Sequence, residues 1–445
     1  MNDSGVTVGI DIGTTSIKVV ISQLIGNQFN IIGAGIAQSR GLRRGIIVDI
    51  DATANAIREA VDQAQEKANY QIKDVVVGIA ANQLEIIKVD GLVSVANQNK
   101  RITYQDVQAV AEQALSRSMP ADRDVIDLVP DEFIVDGFDA IKDPHEMIGV
   151  RLEMRGTAYV GPSKIIDNTR MAIQKAGLVL KEFVLAPLAM GNSILDDGEQ
   201  DFGTVLIDLG GGQTTVSVIH DRKLKFTYVD PEGGDYVTHD ISTVLGTSYG
   251  NAEKLKRNYG FADPSQASAD NEFPVAIVGE PNPKLVDEKY LAEIIAARLE
   301  QIYSNIYQHL SQINALQLPG GFVLTGGNAA LPRMADFAKK ILGENVRLFV
   351  PDQIGLRHPS YARAMAYALY ASRENMTQLV IKQVIMSRRE PEITAYPNQV
   401  IETNNNEPAD TRLIVNDQYA GDSRESTNQS WFAKARQKLS NLFED

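Results

Sequence analysis

The sequence of 445 residues has no cysteine, one tryptophan and five histidines. Without cysteine there is no disulfide framework, no thiolate nucleophile and no thiolate-bound metal, so a reducing compartment is the natural setting. The spacing of the histidines does not predict a transition-metal site. They are His145, His220, His239, His309 and His358.

The chain also lacks an apolar run of the roughly 18 to 20 residues that cross a bilayer. The longest candidate, Phe183 to Leu195, is short and contains Pro187. The N-terminal residues include Asp3 and lead into a strand pattern, which is unlike a signal peptide. A net charge of −14 disfavours nucleic acid as a partner and would repel an anionic membrane. We therefore expect a cytoplasmic protein whose membrane contact, if any, is local.

Two segments far apart in the chain share one pattern, a β-branched strand that ends in aspartate and continues into small residues. They are VTVGIDIGTTSIKVV from Val6 and TVLIDLGGGQTTVSVI from Thr204. Such turns let backbone N–H groups and hydroxyls surround phosphate oxygens, because no bulky side chain keeps the anion away. The small residues are Gly13, Thr14, Thr15, Gly210, Gly211, Gly212, Thr214 and Thr215.

The two hairpins together predict two half-domains that hold one nucleotide between them. Asp11 and Asp208 end the two strands, where a carboxylate can hold a hydrated Mg²⁺ opposite the phosphates. A single hairpin of this kind is more often only a turn between strands. Two copies in matching contexts favour the phosphate site.

A third glycine site follows the strand Phe322 to Leu324, where the chain reads Thr325, Gly326, Gly327 and Asn328. Glycines at a strand end let the backbone lie against an adenine or ribose ring, although a plain turn is the alternative.

The order of strands and helices restarts within the chain. A predicted helix, Asp51 to Asn69, and a strand, Val75 to Ala80, follow the first hairpin. From about Leu84 to Gly161 the pattern changes to strand-like pieces around one helix, which indicates a small inserted α/β unit. Helical patterns then lead into the second hairpin.

The three glycine sites, in this order, resemble those of the actin, sugar kinase and DnaK-type chaperone superfamily. Within it, the chain is similar to the bacterial FtsA cell division family in four blocks. They are RGLRRGIIVDID from Arg40, PLAMGNSIL from Pro187, GGDYVTHDISTVLGTSYGNAEKLKRNYG from Gly233 and PGGFVLTGGNAALP from Pro319. The resemblance implies an α/β fold of duplicated actin-like (ribonuclease H-like) lobes, with an inserted small α/β subdomain and a disordered C-terminal tail.

The resemblance also implies the following division of the chain. The parts are the start of the first lobe at 1–83, the inserted subdomain at 84–161, the continuation of the first lobe with a connecting helix at 162–196, the phosphate hairpin of the second lobe at 197–232, its upper helical subdomain at 233–316, its adenosine motif at 317–360, a connecting helix returning to the first lobe at 361–385, a disordered linker at 386–430 and an amphipathic helix at 431–445.

By the same resemblance the cofactors are ATP and Mg²⁺. Glu253 and Lys256 match the family's AExxK pattern and are expected to face the adenine and ribose. From spacing alone, a Glu and a Lys three apart on a helix are usually just a solvated ion pair. The remaining expected nucleotide contacts are Lys18, Gly234, Gly326, Gly327 and Asn328.

Hydrolysis of ATP is expected to be slow. Attack on a γ-phosphate needs a group that positions water as well as a phosphate cradle. Related kinases and chaperones place an acidic or amide side chain at the first connecting helix, where this chain has LAPLAMG with Ala186. We therefore predict that ATP acts mainly as a switch for polymerisation.

The end of the chain predicts a membrane tether. Residues 386–430 have the polar composition of a disordered linker, with an expected end-to-end distance of about 35 to 40 Å. The following WFAKARQKLSNLF, drawn as a helix, has one apolar face flanked by basic residues, which is typical of a helix in the membrane headgroup region. An amphipathic helix docked on the protein's own core is the alternative. The residues expected at the membrane are Trp431, Phe432, Lys434, Arg436, Lys438, Leu439, Leu442 and Phe443.

The family resemblance names the partners. They are the C-terminal peptide of the tubulin-like protein FtsZ, further copies of the chain in filaments, anionic lipids, and other division proteins through the inserted subdomain. Arg298 matches a family contact for the FtsZ peptide, and the alternative is an ordinary exposed helix cation. The expected location is the cytoplasmic face of the membrane at the division site.

Other members of the superfamily are competing explanations. A small-molecule kinase shares the hairpins but needs no tether, and a DnaK-type chaperone needs a β-rich domain that the polar end of the chain cannot provide. The filament protein MreB and the pilus assembly protein PilM are closer alternatives. The tail and the block from Gly233 disfavour both.

Overall fold

The computed structural model describes residues 5–26, 28–96, 100–116 and 122–388. The strands are β1 (Val6–Ile12), β2 (Ser16–Ile25), β3 (Gln28–Gln38), β4 (Leu42–Arg43), β5 (Ile46–Ile47), β6 (Asp74–Ile79), β7 (Glu85–Ser94), β8 (Arg123–Val135), β9 (Phe138–Ile141), β10 (Arg151–Pro162), β11 (Val179–Leu185), β12 (Thr204–Leu209), β13 (Thr214–His220), β14 (Lys223–Asp230), β15 (Glu272–Val275), β16 (Lys284–Asp287), β17 (Phe322–Thr325) and β18 (Val346–Leu348). The helices are α1 (Ile50–Ala68), α2 (Tyr104–Ala114), α3 (Ser163–Lys175), α4 (Ala186–Ile194), α5 (Asp197–Phe202), α6 (Gly234–Leu245), α7 (Tyr249–Tyr259), α8 (Glu288–Gln312), α9 (Met334–Leu342), α10 (Ala362–Ser372) and α11 (Met376–Ser387).

Two five-stranded sheets have the same topology. The first has the order β11-β6-β1-β2-β3 and the second β18-β17-β12-β13-β14. In each, three consecutive strands pair antiparallel, and the first of them pairs on its other side with a parallel strand. The chain therefore builds one lobe twice, as the repeated hairpin pattern predicts.

The central strands are buried along nearly their whole length, since β12 has six buried residues in succession. Continuous burial is expected when helices cover both faces of a sheet. The cross-strand register places Asp11 opposite Lys18 and Asp208 opposite Thr215. Both aspartates therefore lie at the turn end of their hairpin.

Helix α1 shows how the sequence packs one layer on the next. Asp49 caps its N-terminus by accepting a hydrogen bond from the backbone N–H of Ala52, and Asn69 ends it in the left-handed conformation. The helix crosses β3 so closely that a Cβ at Gly35 would lie 1.8 Å from the carbonyl oxygen of Ala60. Glycine at that position allows the helix to approach the sheet.

The inserted unit has its own sheet, in the order β7-β10-β8-β9, and its own core with α2. That core also contains four residues of α11 from the end of the described chain: Val380, Ile381, Val384 and Ile385. The range 361–385, predicted as one connecting helix, thus forms two helices, of which the second packs on the inserted unit. Residues 386–387, predicted to begin the linker, belong to α11.

A buried charged cluster joins α11 to its surroundings. The ammonium of Lys382 lies 3.0 Å from Asp127 of β8, 3.4 Å from Glu182 of β11 and 3.5 Å from Glu374, which precedes α11. All four side chains are buried. Three carboxylates around one cation leave an excess of negative charge, which favours proton uptake by one of them.

Residues 389–430 of the predicted linker and the amphipathic segment 431–445 lie outside the described residues. Among the helices that the structure does describe, none combines the length and apolar character needed to span a membrane.

Candidate functional site

The turns of the two predicted phosphate hairpins face each other. A Cβ at Gly211 would lie 2.4 Å from Cγ2 of Thr15, and one at Gly212 would lie 2.4 Å from Oγ1 of Thr14. Thr14 also accepts a hydrogen bond of 2.9 Å from the backbone N–H of Gly45. The structure thus brings together the two hairpins, and only residues without side chains fit opposite the threonines.

The start of α6 completes the second turn. Gly234 and Asp235 donate backbone hydrogen bonds to the carbonyl oxygens of Gly210 and Gly211, at 2.9 and 2.8 Å. A Cβ at Gly233 would lie 2.4 Å from the carbonyl oxygen of Gly211. The glycines before and after β13 and β14 therefore form one continuous backbone surface.

Glu253 and Lys256, on α7, lie against the same surface. Lys256 donates to the carbonyl oxygen of Gly234 at 2.9 Å and to Oγ1 of Thr238 at 2.7 Å, and its ammonium lies 2.8 Å from Glu253. Thr238 donates to Glu253 at 2.6 Å. Burial raises the pKa of Glu253, but Lys256, Thr238 and Arg257 outweigh it and hold that pKa below its usual value. The alternative of a solvated ion pair is wrong, because both side chains are largely enclosed.

The third glycine site brings Asn328 to this point. This residue is 6 % exposed, and its amide oxygen lies 3.0 Å from the place that a Cβ at Gly234 would take. Neither polar atom of that amide has a hydrogen-bond partner in the protein, and the same is true of Oγ1 of Thr215. Since a buried polar group without a partner costs about 1 to 3 kcal/mol, these atoms fit a polar ligand such as a nucleotide.

Asp11 and Asp208 share a cation that the sequence interpretation missed. Arg363, near the start of α10, donates from Nε to Oδ2 of Asp208, and its Nη1 lies 3.7 Å from Oδ1 of Asp11. The two carboxylates predicted to hold a hydrated Mg²⁺ are thus paired with an arginine, and in this arrangement they do not fit that ion. Within residues 5–26, 28–96, 100–116 and 122–388, no group of three or more His, Cys, Asp or Glu side chains forms a metal site.

Burial and neighbouring charges act in opposite directions on the ionisable groups of this cluster. Burial raises the pKa of Asp11 above its ordinary value, and the charges of Arg363 and Lys18 offset only part of that shift. Burial lowers the pKa of Lys18 below its ordinary value, and the charge of Asp11 offsets only part of that shift. Two anions and two cations enclosed together form a compact neutral set.

A small cavity lies beside Asp208 and Arg363. Ala186, Pro187 and Met190 of α4 form one of its walls. Apart from Asp208, no carboxylate or amide side chain of the described residues lines it. Ala186 thus lies next to the predicted phosphate site and supplies no group to orient water.

Two further polar contacts hold the lobes together and were not anticipated. Gln213 and Asn82 exchange side-chain hydrogen bonds of 3.0 and 3.2 Å. Arg44 donates to the hydroxyl of Tyr236 at 2.7 Å. Both contacts join residues that are distant in sequence, so local patterns gave no signal for them.

One of the two interpretations of Arg298, an ordinary exposed helix cation, is wrong, and its contact with the FtsZ peptide stays a prediction. Its side chain is 7 % exposed and donates two hydrogen bonds, of 2.6 and 2.9 Å, to the carboxylate of Asp240. A third, of 3.1 Å, goes to Glu232. The guanidinium also lies over the ring of Tyr236. Arg298 therefore ties α8 to α6 and to the segment after β14.

The duplicated lobes with facing hairpins define the actin-like ATPase fold. A solved structure, the PilM-PilN type IV pilus biogenesis complex, covers 83 % of this chain and 99 % of its own, with a TM-score of 0.55 and 17 % identity. That likeness is one of fold alone.

The comparison with sequence families is more specific. A model described as cell division protein FtsA matches residues 205–366, and one described as the SHS2 domain inserted in FtsA matches residues 81–160. The cell division protein FtsA of Enterococcus hirae is 50 % identical over 406 residues, which cover 89 % of this chain and 92 % of the relative. That of Bacillus subtilis is 39 % identical, covering 85 % of this chain and 86 % of the relative. The chain belongs to the FtsA family of cell division proteins. The predicted family and fold class are thereby confirmed. The alternative interpretations of the chain as MreB, PilM or a small-molecule kinase are excluded.

Proposed function

We propose that this chain binds ATP between its two lobes, polymerises in response, and tethers FtsZ filaments to the cytoplasmic membrane through its C-terminal segment. The observation that carries the proposal is the direct opposition of Thr14 and Thr15 to Gly211 and Gly212. A pair of turns of this kind offers hydroxyls and backbone N–H groups from both lobes to one polyphosphate. The arrangement of the two lobes then depends on which nucleotide is bound.

The buried polar atoms without partners support an adenosine site next to the cradle. Asn328 offers an amide that can both donate and accept, and a Cβ at the neighbouring Gly327 would meet only Ser360, at 3.7 Å. Glu253 and Lys256 are held in place by Thr238, ready to receive ribose hydroxyls. These residues are the proposed base and ribose contacts.

Turnover is proposed to be slow. Phosphoryl transfer to water requires a side chain that orients the nucleophile. One wall of the cavity beside Asp208 consists of Ala186, Pro187 and Met190, and the amide of Gln213 is already bonded to Asn82. ATP then serves as a structural switch for filament formation.

Membrane attachment is assigned to residues 431–445 on the strength of their sequence. Each basic residue near an anionic leaflet contributes about 1 kcal/mol, and the aromatic and leucine side chains add to this. Such binding is reversible for one copy and becomes strong when many copies are linked in a filament. The FtsZ peptide is proposed to dock on the upper subdomain, 233–316. Since Arg298 is buried there, its contribution is to hold that surface in shape.

The test is co-sedimentation of the full chain with anionic lipid vesicles and purified FtsZ, with and without ATP. We expect FtsZ to pellet with the vesicles only when this chain is present, and more of it with ATP. A chain truncated before Trp431 is the matched control and should bind ATP while leaving FtsZ in solution. If the truncated chain brings FtsZ to vesicles as well as the full chain does, the tail is not the anchor and the proposal is wrong.

A further inference from the structure

Arg363 is fixed in place by its helix. Residues 364–368 of α10 are all buried, and the helix lies so close to β1 that a Cβ at Gly9 would be 2.4 Å from the carbonyl oxygen of Ala364. One turn further on, the ring of Tyr367 fills the space above Gly78, where a Cβ would lie 2.1 Å from the ring. The backbone that carries Arg363 is therefore packed too tightly to move away from Asp11 and Asp208.

The side chain reaches both strand-end carboxylates from this position. Its Nε donates to Oδ2 of Asp208, its Nη1 lies 3.7 Å from Oδ1 of Asp11, and the whole side chain is 16 % exposed. A guanidinium is planar, always charged, and presents several N–H groups in a fixed geometry that suits two carboxylates. It has no acceptor, so it contributes only positive charge and donors to the cleft.

The other carboxylate oxygen of Asp208, Oδ1, lies close to the protein backbone. A Cβ at Gly326 would lie 2.4 Å from Oδ1 of Asp208, so the backbone of the third glycine site closes on it. Mg²⁺ requires six ligands at about 2.1 Å and usually keeps several waters. With Arg363 on one oxygen and the Gly326 backbone beside the other, Asp208 has no free oxygen to offer as a ligand in that shell.

The charge of the site leads to the same conclusion. Lys18 is buried next to Asp11, so the two carboxylates already face two cations. A divalent ion added to this neutral set would meet two positive charges at close range, with no compensating anion from the protein.

We propose that Arg363 is the resident counterion of Asp11 and Asp208 and takes the place that a divalent cation has in a metal-dependent nucleotide site. This inference rests on the proposed binding of ATP between the lobes. It follows that ATP binding depends on Arg363 and only weakly on Mg²⁺.

The first test is the affinity of the full chain for ATP, measured by calorimetry with Mg²⁺ and with EDTA. The expected change is less than about threefold. Binding that requires Mg²⁺, with a loss of about tenfold or more in EDTA, overturns the inference and leaves the proposed function standing. If ATP does not bind under either condition, the proposed function fails and the inference fails with it.

The second test removes the guanidinium. In Arg363→Met the carboxylates lose their counterion, so Mg²⁺ alone should raise the melting temperature of the variant and should become necessary for ATP binding. Arg373→Met is the matched control, because Arg373 is an exposed arginine just after the same helix. The control and the wild-type chain should show no such response to Mg²⁺.

Arg363→Lys provides a variant that keeps the charge if the methionine variant does not fold. A lysine has a single ammonium in place of the fork and cannot satisfy both carboxylates in the same way. Its ATP affinity should fall in EDTA and recover with Mg²⁺. A lysine variant that responds to Mg²⁺ no more than the wild type does would contradict the assigned role.

Discussion

Glu374 provides a sharp test of how the described part of the chain is held together. It lies between α10 and α11, with a side chain 3 % exposed, near the carboxylates of Glu182 and Asp127 and the ammonium of Lys382. Burial, together with the charges of Glu182 and Asp127, outweighs Lys382 and raises the pKa of Glu374 to about 8. The stability of the folded chain should therefore depend on a proton bound to Glu374. We predict that replacing Glu374 with glutamine, which resembles the protonated acid, makes the stability independent of that proton.

The sign and size of the effect follow from linkage. Between the ordinary pKa of 4.5 and about 8, the folded chain holds a proton on Glu374 that the unfolded chain has lost. The stability that this proton provides is complete below the unfolded pKa and is lost as the pH rises through the folded pKa. Because each pH unit in that interval contributes about 1.4 kcal/mol, the loss from pH 5 to pH 8 is roughly 3 to 4 kcal/mol.

The assay is urea unfolding of the wild-type chain and of Glu374→Gln at a series of pH values. The two should have similar stability near pH 5, and the variant should be more stable by about 3 kcal/mol near pH 8. Glu344→Gln, at a carboxylate that is 94 % exposed, is the control and should follow the wild type throughout. Parallel curves for the wild type and Glu374→Gln would refute the assignment of a bound proton to this cluster.

Three further outcomes are expected. Lys382→Met should lower the free energy of unfolding by about 3 to 5 kcal/mol in urea titrations, because it leaves the carboxylates of Asp127 and Glu182 buried without a cation; a loss below 1 kcal/mol would contradict this. Arg298→Ala should destabilise the chain by about 3 kcal/mol in the same titrations, since Asp240 and Glu232 lose their partner, whereas an unchanged midpoint would show the pairing to be unimportant. Phosphate release from ATP by the purified chain should be well below about 1 s⁻¹, and turnover at that rate or faster would show that a water-positioning group exists.

Much of the fold could be predicted because its signals are local. The hairpins around Asp11 and Asp208 follow from alternating β-branched residues and from small residues in the turns. Helix α1 was predicted to within one residue at each end from the helical spacing of its apolar residues, and in the structure Asp49 and Asn69 cap it. The duplicated sheets then follow from the repetition of one pattern.

The remaining features depend on contacts between distant parts of the chain. The sequence around Arg363 is an alanine-rich helix with one arginine, and nothing nearby indicates that it reaches Asp11 and Asp208. The same holds for Arg298, which looked like an exposed cation because Asp240 and Glu232 come from other elements. For both Arg363 and Arg298, the sequence pattern that indicates a buried ion pair is a single charged residue among apolar positions of a helix.

The central claim, that a nucleotide lies between the two lobes, is tested most directly by ATP binding to Gly211→Val. The added side chain would enter the space of Thr15, where even a Cβ would lie 2.4 Å from Cγ2. Gly250→Val is the matched control, because a Cβ at Gly250 would meet nothing within 4 Å. We predict that the wild type and the control bind ATP with similar affinity and that Gly211→Val binds at least about tenfold more weakly. ATP binding by Gly211→Val as tight as that of the wild type would contradict the account.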